Sequence, residues 1–359
     1  MKKSYITAIL LVVFLLTGCW DQRLLKDVRL LLGVGIDYQK GNKVIMSSVV
    51  TRNLEKKPPE LISTTGSTPR DARINLQRKL IYVPDASKNR IVMLSEALAR
   101  KGSILEVLDV FYRDPRSALN AKIAIVKGKA KDFLETQSKD NPDLTAFLDR
   151  QIVTSEAATI VPDVDLQSIR TGILDPGEDI MMPYMGLNKS NVEILGGALF
   201  HGQKLTGTLT PGETTVALLL ANQKNKQTTL TLPIEKGVQM TVNILQSKRK
   251  LTIQPTGQSL KVSIDLQMNA EAIEMPFGDF SDQKTVAKFN HTLSEEINKE
   301  ADKVIKKLQA ANCDVLGIGR QLIAHHSSYW NQIDWNKEYP KINITSSTTI
   351  NLTRNGILE

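Results

Sequence analysis

Residues 286–311 constrain most tightly what this chain can fold into. Val286, Phe289, Leu293, Ile297, Ala301, Val304, Leu308 and Ala311 recur three or four residues apart, the spacing that lines one face of an α-helix. The pattern predicts a helix from Ser281 or Asp282 to Asn312, well beyond the usual three or four turns of a globular helix. A stripe of that length must lie on a broad apolar surface. Just upstream, Leu260, Val262, Ile264, Leu266 and Met268 alternate with polar residues, which gives a strand with one face on a core and the other in water. Val238–Gln246 and Lys250–Gln254 are two further strand candidates, and Ile342–Leu352 is a last one. The expected C-terminal part is thus an antiparallel sheet packed with one long amphipathic helix. On its wet side Glu295 and Lys299, and Asp302 and Lys306, sit four apart in the favourable order, each pair worth about 0.2–0.5 kcal/mol.

The first half is more broken. Leu31–Tyr38 and Lys43–Arg52 read as strands joined by a Gly41-Asn42 turn. Residues 53–69, with Pro58-Pro59 and Pro69, read as a loop. A helix opens at Arg70 with Ala72, Leu76 and Leu80 on one face and stops before Pro84. Ile91–Leu94 is a short strand, Glu96–Arg100 is helical with a stop at Gly102, and a further helix runs through Leu105, Leu108, Val110 and Phe111 to Asp114-Pro115. Ala121–Val126 is a strand, and Lys131–Gln137 and Leu144–Ile152 are helical. Val192–Leu209 splits into two strands at Gly202, and an apolar helix, Glu213–Asn222, opens after Thr210-Pro211. The class expected is α+β with several unlike domains, lacking the regular strand–helix alternation of a doubly wound sheet.

The N-terminus carries a different signal. Lys2 and Lys3 precede an apolar run from Ile6 to Leu16, which ends at Leu16-Thr17-Gly18-Cys19. Eleven residues at about 1.5 Å each fall short of the roughly 30 Å hydrocarbon core, so the run is a signal peptide rather than a membrane span. The Leu-x-Gly-Cys arrangement resembles the bacterial lipoprotein box, making Cys19 the candidate lipid-attachment residue. Two acyl chains, at about 0.8 kcal/mol per buried methylene, suffice for stable anchoring. The expected division is 1–18 signal peptide, 19–190 N-terminal α+β domain and 191–359 C-terminal α+β domain, with a further division near 235 left open. With Cys19 acylated, Cys313 has no partner in the chain and reads as a small buried hydrophobe near a helix end.

The chain has 359 residues and a formal net charge of +8. Loss of Lys2 and Lys3 leaves about +6, which suits residence beside an anionic bilayer. The basic residues are dispersed, with Lys248-Arg249-Lys250 the one dense run, so no nucleic-acid surface is expected. No catalytic constellation converges in the sequence. Gly33-Val34-Gly35-Ile36-Asp37-Tyr38 has Tyr38 where a dinucleotide loop needs its third glycine, so its glycines read as strand or turn positions. His325 and His326 are adjacent and would point about 100° apart on a helix, a poor metal site. Catalytic residues, metals and cofactors are therefore expected to be absent. Two clusters are candidates for partner binding. Arg113-Asp114-Pro115-Arg116 is a compact charged turn, which an internal salt bridge would also explain. Trp330 and Trp335, with Tyr329 and Tyr339, form an aromatic cluster suited to a membrane interface, a binding hot spot or local packing.

Several segments together resemble the Ger(x)C family, the lipoprotein C subunits of spore germinant receptors. They are Gly18-Cys19-Trp20-Asp21, Gly33–Tyr38, Ser95–Gly102 with Tyr112–Pro115, Gly196–Phe200 with Gly207–Leu209 and Glu213-Thr214, Asp314–Gly319, and Trp330–Trp335. The resemblance implies a non-enzymatic subunit on the outer face of the spore inner membrane, held by acylated Cys19 (diacylglyceryl and palmitate). It also implies integral-membrane receptor subunits as partners, with direct nutrient binding by this chain not expected. The rival reading is a lipid-anchored extracytoplasmic solute-binding protein, a class that needs two strand–helix–strand lobes and a cleft.

Overall fold

The computed structural model describes residues 24–39, 41, 43–51, 58–102, 104–257, 259–274 and 282–354. Strands β1 (Val28–Gln39), β2 (Lys43–Val50) and β3 (Glu60–Gly66) form an antiparallel meander. On the other side of β1 the chain returns through the short β4 (Val83–Asp85), which pairs in parallel with Val28–Leu30, and then β5 (Ile91–Ser95). Next come β6 (Lys122–Val126), β7 (Met181–Asn188), β8 (Asn191–His201) and β9 (Lys204–Leu209). The sheet order is β3-β2-β1-β5-β6-β7-β8-β9, with β4 beside β1. Its centre, β1-β5-β6-β7, is parallel and both flanks are antiparallel.

Parallel pairs need long crossovers, and here helices supply them on both faces. Val92, Leu94, Ile123 and Ile125 point to the side covered by helices Pro69–Gln77, Glu96–Lys101, Ile104–Tyr112 and Leu166–Leu174. Ile91, Met93, Ala124 and Val126 point to the side covered by Ala130–Asp140 and Leu144–Ala157. The Gly33–Tyr38 motif lies in β1 and admits that second layer. A Cβ at Gly33 would come within 2.7 Å of the Thr145 side chain, and one at Gly35 within 2.8 Å of Leu134. Asp37 accepts hydrogen bonds from the Ala130 and Lys131 amides at 2.7 and 2.8 Å, holding the start of the first of those helices.

The second sheet has the order β10-β11-β12-β13, built from β10 (Thr229–Glu235), β11 (Val238–Thr256), β12 (Ser259–Glu274) and β13 (Asn343–Arg354). The long helix runs Gln283–Ala310, capped by Asp282, which accepts from the Lys284 and Thr285 amides. It buries Phe289, Leu293, Ile297, Ala301, Val304, Ile305 and Leu308, and each fully buried large apolar side chain contributes about 1.5–3 kcal/mol. From Leu260 to Ala270 buried positions on β12 alternate with partly or fully exposed ones, as the pattern requires. Because the helix intervenes between β12 and β13, those two strands are parallel, while the other pairs are antiparallel. The wet-side pairs include Glu296–Lys299 and Glu300–Lys303, both three apart; Lys299 pairs with the glutamate next to the one expected, and the second pair takes residues other than Asp302 and Lys306.

The helix expected to reach Pro84 ends at Gln77 and is followed by β4, and β10 forms where no element was expected; three further segments also depart from the sequence expectation. Residues 60–66, expected as loop, form β3 through pairing with β2, a long-range partner that local composition does not reveal. Val238–Gln246 and Lys250–Gln254 are one strand, β11. The basic run inside it obeys the strand period: Lys248 and Lys250 are exposed, whereas Arg249 turns inward and donates to the carbonyls of Leu220 and Leu316 at 2.9 and 2.8 Å. Residues 158–190, for which no element was expected, hold a helix and β7. The 190/191 boundary falls at the turn between β7 and β8, and position 235 at the turn between β10 and β11.

The outer edge of β13 is closed by the helix that crosses over it. The amides of Leu352, Ile350 and Thr348 donate to Asn290, Ser294 and Asn298, four residues apart on the helix, at 2.9, 3.0 and 2.7 Å. The outer edge of β3 receives the same treatment with polarity reversed. Asn75 and Lys79 donate to the carbonyls of Thr65 and Ser63 at 2.9 and 3.1 Å.

Candidate functional site

Two charged clusters stand out. The first is a cleft of about 530 Å³ in the N-terminal half. One wall is the Pro69–Gln77 helix, whose N-cap Thr68 accepts from the Asp71 amide. Arg70, Arg73, Ile74 and Gln77 share one face of it by their three- and four-residue spacing. The facing wall is the turn Arg113–Arg116, and Val83, Pro84 and Asp85 of β4 complete the lining. Two carboxylates act as struts. Asp114 accepts from Arg73 at 2.6 Å and from the Arg116 amide at 3.1 Å. Burial alone would raise its pKa, but these bonds and the nearby Arg70 outweigh burial and hold it below the ordinary carboxylate range. Asp85 accepts from the Ser87 amide at 2.8 Å. Arg113 pairs with Asp109 at 2.8 Å on the exposed side. With four arginines and two aspartates in the lining, the cleft is net cationic.

The second cluster is a seam where the two sheets meet. The Asp314–Gly319 segment follows the long helix and is buried against residues 175–180. Asp314, 1% exposed, accepts from the amides of Ile318 and Gly319 at 3.1 and 2.7 Å. Burial pushes its carboxyl up to about 7, against the pull of those two amides. Asp179 accepts from the Asp314 and Gly202 amides at 2.9 and 2.8 Å, with His201 3.5 Å away. Arg320 holds Asp175 and, at 2.8 Å, Glu178. The two backbones touch: the Arg320 amide donates to the Gly177 carbonyl at 2.7 Å, and a Cβ at Gly177 would lie 2.6 Å from the Arg320 nitrogen. Trp330 and Trp335 lie against Gly319 of this segment, and the rings of Trp330, Trp335 and Tyr339 meet in tilted pairs with centroid spacings of 5.8 and 5.5 Å. A Cβ at Gly319 would meet the Trp335 indole nitrogen at 2.7 Å, so the aromatic cover requires glycine there. Tyr339, fully buried, donates to the Cys313 carbonyl at 3.0 Å.

Comparison with known proteins identifies the chain. The family model described as spore germination protein N-terminal domain matches residues 21–187, and that described as spore germination B3/GerAC like, C-terminal, matches 195–356. The chain belongs to the Ger(x)C family of spore germination proteins. The spore germination protein GerQC of Bacillus cereus is 21% identical over 99% of this chain and 100% of its own. Spore germination protein YndF of Bacillus subtilis (strain 168) is 23% identical over 97% of this chain and 96% of its own. The crystal structure of the GerBC protein superposes with a TM-score of 0.62 at 15% identity, covering 93% of this chain and all of that one, so the mixed α+β fold is shared.

In this Ger(x)C chain the expected site residues fall in three places. Cys19 lies outside the described residues. Arg113 and Arg116 line the cleft; Arg113 pairs with Asp109 of the preceding helix, and Asp114 pairs with Arg73 and accepts from the Arg116 amide, so the turn's ion pairs run to other elements. Trp330 and Trp335 are half-buried on the seam. The structure therefore does not join the arginines to the tryptophans. Sequence reasoning missed Arg70 and Arg73, although their three-residue spacing on a capped helix was visible, and it missed Asp314 as a buried carboxylate. Cys313 is fully buried, and burial raises its thiol pKa. Among the described residues, no three His, Cys, Asp or Glu side chains gather as a metal site, and no helix is long and apolar enough to cross a membrane.

Proposed function

We propose that this chain is a non-enzymatic, exported subunit of a spore nutrient germinant receptor, tethered to the outer face of the membrane by acylated Cys19 and acting beside integral-membrane subunits. One observation carries the proposal: the two spore-germination family models match the chain in order from residue 21, two residues after a Leu-x-Gly-Cys box. The relatives matched along almost their whole lengths are named spore germination proteins. The charged clusters also suit a scaffold. At the seam, the carboxylates of Asp314 and Asp179 are held by backbone amides rather than arranged around an open reaction centre.

The test is Cys19→Ala in the full chain, followed by membrane fractionation and intact-mass measurement. The native chain is expected in the membrane fraction with a mature N-terminus at Cys19 carrying acyl chains. The variant is expected in the soluble fraction, or retained with its signal uncut. A native chain with an unmodified Cys19, or a variant processed and anchored like the native chain, overturns the tether. Affinity capture from spore membranes tests the assembly. Integral-membrane partners are expected to co-purify, and their absence from captures made in mild detergent counts against a receptor subunit.

A further inference from the structure

We propose that the arginine cleft and the apolar side chains around it form a docking face for anionic phospholipid, which orients the protein against the bilayer independently of the acyl tether. The inference rests on the membrane location proposed above. Among the described residues eight large hydrophobic side chains are exposed, and four of them line the cleft or lie within four residues of its β1–β4 pairing along the chain: Leu24 at 50%, Ile74 at 46%, Ile81 at 87% and Val83 at 38%. Ile74 and Val83 line the cleft with Arg70, Arg73, Arg113 and Arg116. Ile81 is two residues before Val83. Val83 is level with Val28 in the β1–β4 pair, four residues beyond Leu24. Exposed aliphatic groups beside guanidinium groups match the two layers of a membrane interface, with phosphates outside and acyl chains beneath.

The start of the chain selects lipid over an acidic protein as the occupant. The floor strand β4 pairs with Val28–Leu30, the first strand residues. Val28 is nine steps along the chain from Cys19, a tether of at most about 30 Å when fully extended. An anchored Cys19 therefore keeps this end of the nine-stranded sheet within reach of the headgroups. The carboxylates in the lining, Asp85 and Asp114, are both engaged by internal donors, Asp114 is matched by Arg73, and Asp109 beside the lining pairs with Arg113, so four arginines meet three carboxylates. A lipid phosphate would be held by Arg70 and Arg116, with guanidinium geometry suited to its oxygens, and by Arg113 in exchange for its solvent-exposed pair with Asp109.

The experiment uses the full chain carrying Cys19→Ala and Ile81→Cys. Cys313 is fully buried, so an environment-sensitive fluorophore attaches at position 81. Vesicles of phosphatidylcholine alone are compared with vesicles that also contain phosphatidylglycerol. The label is expected to shift to the blue and be quenched by chain-borne quenchers with phosphatidylglycerol present. Adding Arg70→Gln, Arg113→Gln and Arg116→Gln is expected to weaken binding to those vesicles about 100-fold relative to neutral ones, roughly fivefold per basic side chain. The Arg73–Asp114 pair stays intact, and far-ultraviolet circular dichroism checks the fold. A label indifferent to phosphatidylglycerol, or an unchanged preference after the three substitutions, overturns the proposal. So does a label that responds to an acidic peptide and not to vesicles, which would make the occupant a protein. Failure of the tether alone looks different: native Cys19 is found unacylated while the phosphatidylglycerol preference persists.

Discussion

The seam around Asp314 and the cleft between Arg70 and Arg116 use charge in opposite ways. At the seam the carboxylates are turned inward and met by backbone amides, and the aromatic rings of Trp330 and Trp335 close over them. At the cleft the carboxylates are the struts, and the arginines form the lining that solvent reaches. An inward carboxyl whose two oxygens each meet a backbone amide fixes one arrangement of two backbones, since leaving those groups unmet is costly. A surface cation contributes little to folding and stays available to an anion from outside. The seam is thus where this molecule is locked to itself, and the cleft is where it can answer to its surroundings.

That contrast can be broken from either side. The largest expected effect is at Asp314. Replacement by Ala strands the Ile318 and Gly319 amides in a buried site and is expected to cost about 2–4 kcal/mol in urea unfolding; a loss below about 0.5 kcal/mol would make the seam no more rigid than the cleft. Gly319→Ala forces a methyl against Trp335 and the Gly177 carbonyl, with an expected loss of about 1–3 kcal/mol and a shift in tryptophan fluorescence. A pH titration of stability sharpens the point. The folded chain keeps the Asp314 proton up to about pH 7, while the unfolded chain releases it near its ordinary value of about 4. Between those values the folded state holds the extra proton, so this residue's contribution to stability falls as pH rises through the window and levels off above it. Asp314→Asn is expected to flatten that segment of the curve, and a slope identical to the parent would remove Asp314 as its source. The smallest effect is at Arg113→Ala, expected to move stability by no more than about 0.5 kcal/mol, because its pair with Asp109 is exposed.

Local period made the C-terminal half legible. The long helix and β12 declare their faces within their own sequence, and the observed helix, Gln283–Ala310, lies within two residues of the span expected at each end. The break expected inside β11 falls at residues 247–249, where alternation simply sends Arg249 to the opposite face from its neighbours. The parallel centre of the large sheet was hidden for another reason. β5, β6 and β7 are buried on both faces, so they have no alternation to display, and their partners are distant in the chain. The cleft was half visible: the Arg113–Arg116 turn could be seen, but not that a helix more than forty residues earlier would bring Arg70 and Arg73 opposite it. The seam motif, Asp314–Gly319, was recognisable as a string of residues, but its role depends on Gly177 and Asp179 arriving from another element.

The side-chain ladder of Asn290, Ser294 and Asn298 along β13 has a bearing on life among neighbours. A sheet whose last strand offers bare amides can template a stranger's backbone and seed fibrils, and the hazard grows when many copies share a crowded patch. Here one helix both fills the core and stoppers that rim, so unzipping the helix would be the first step any such aggregate requires.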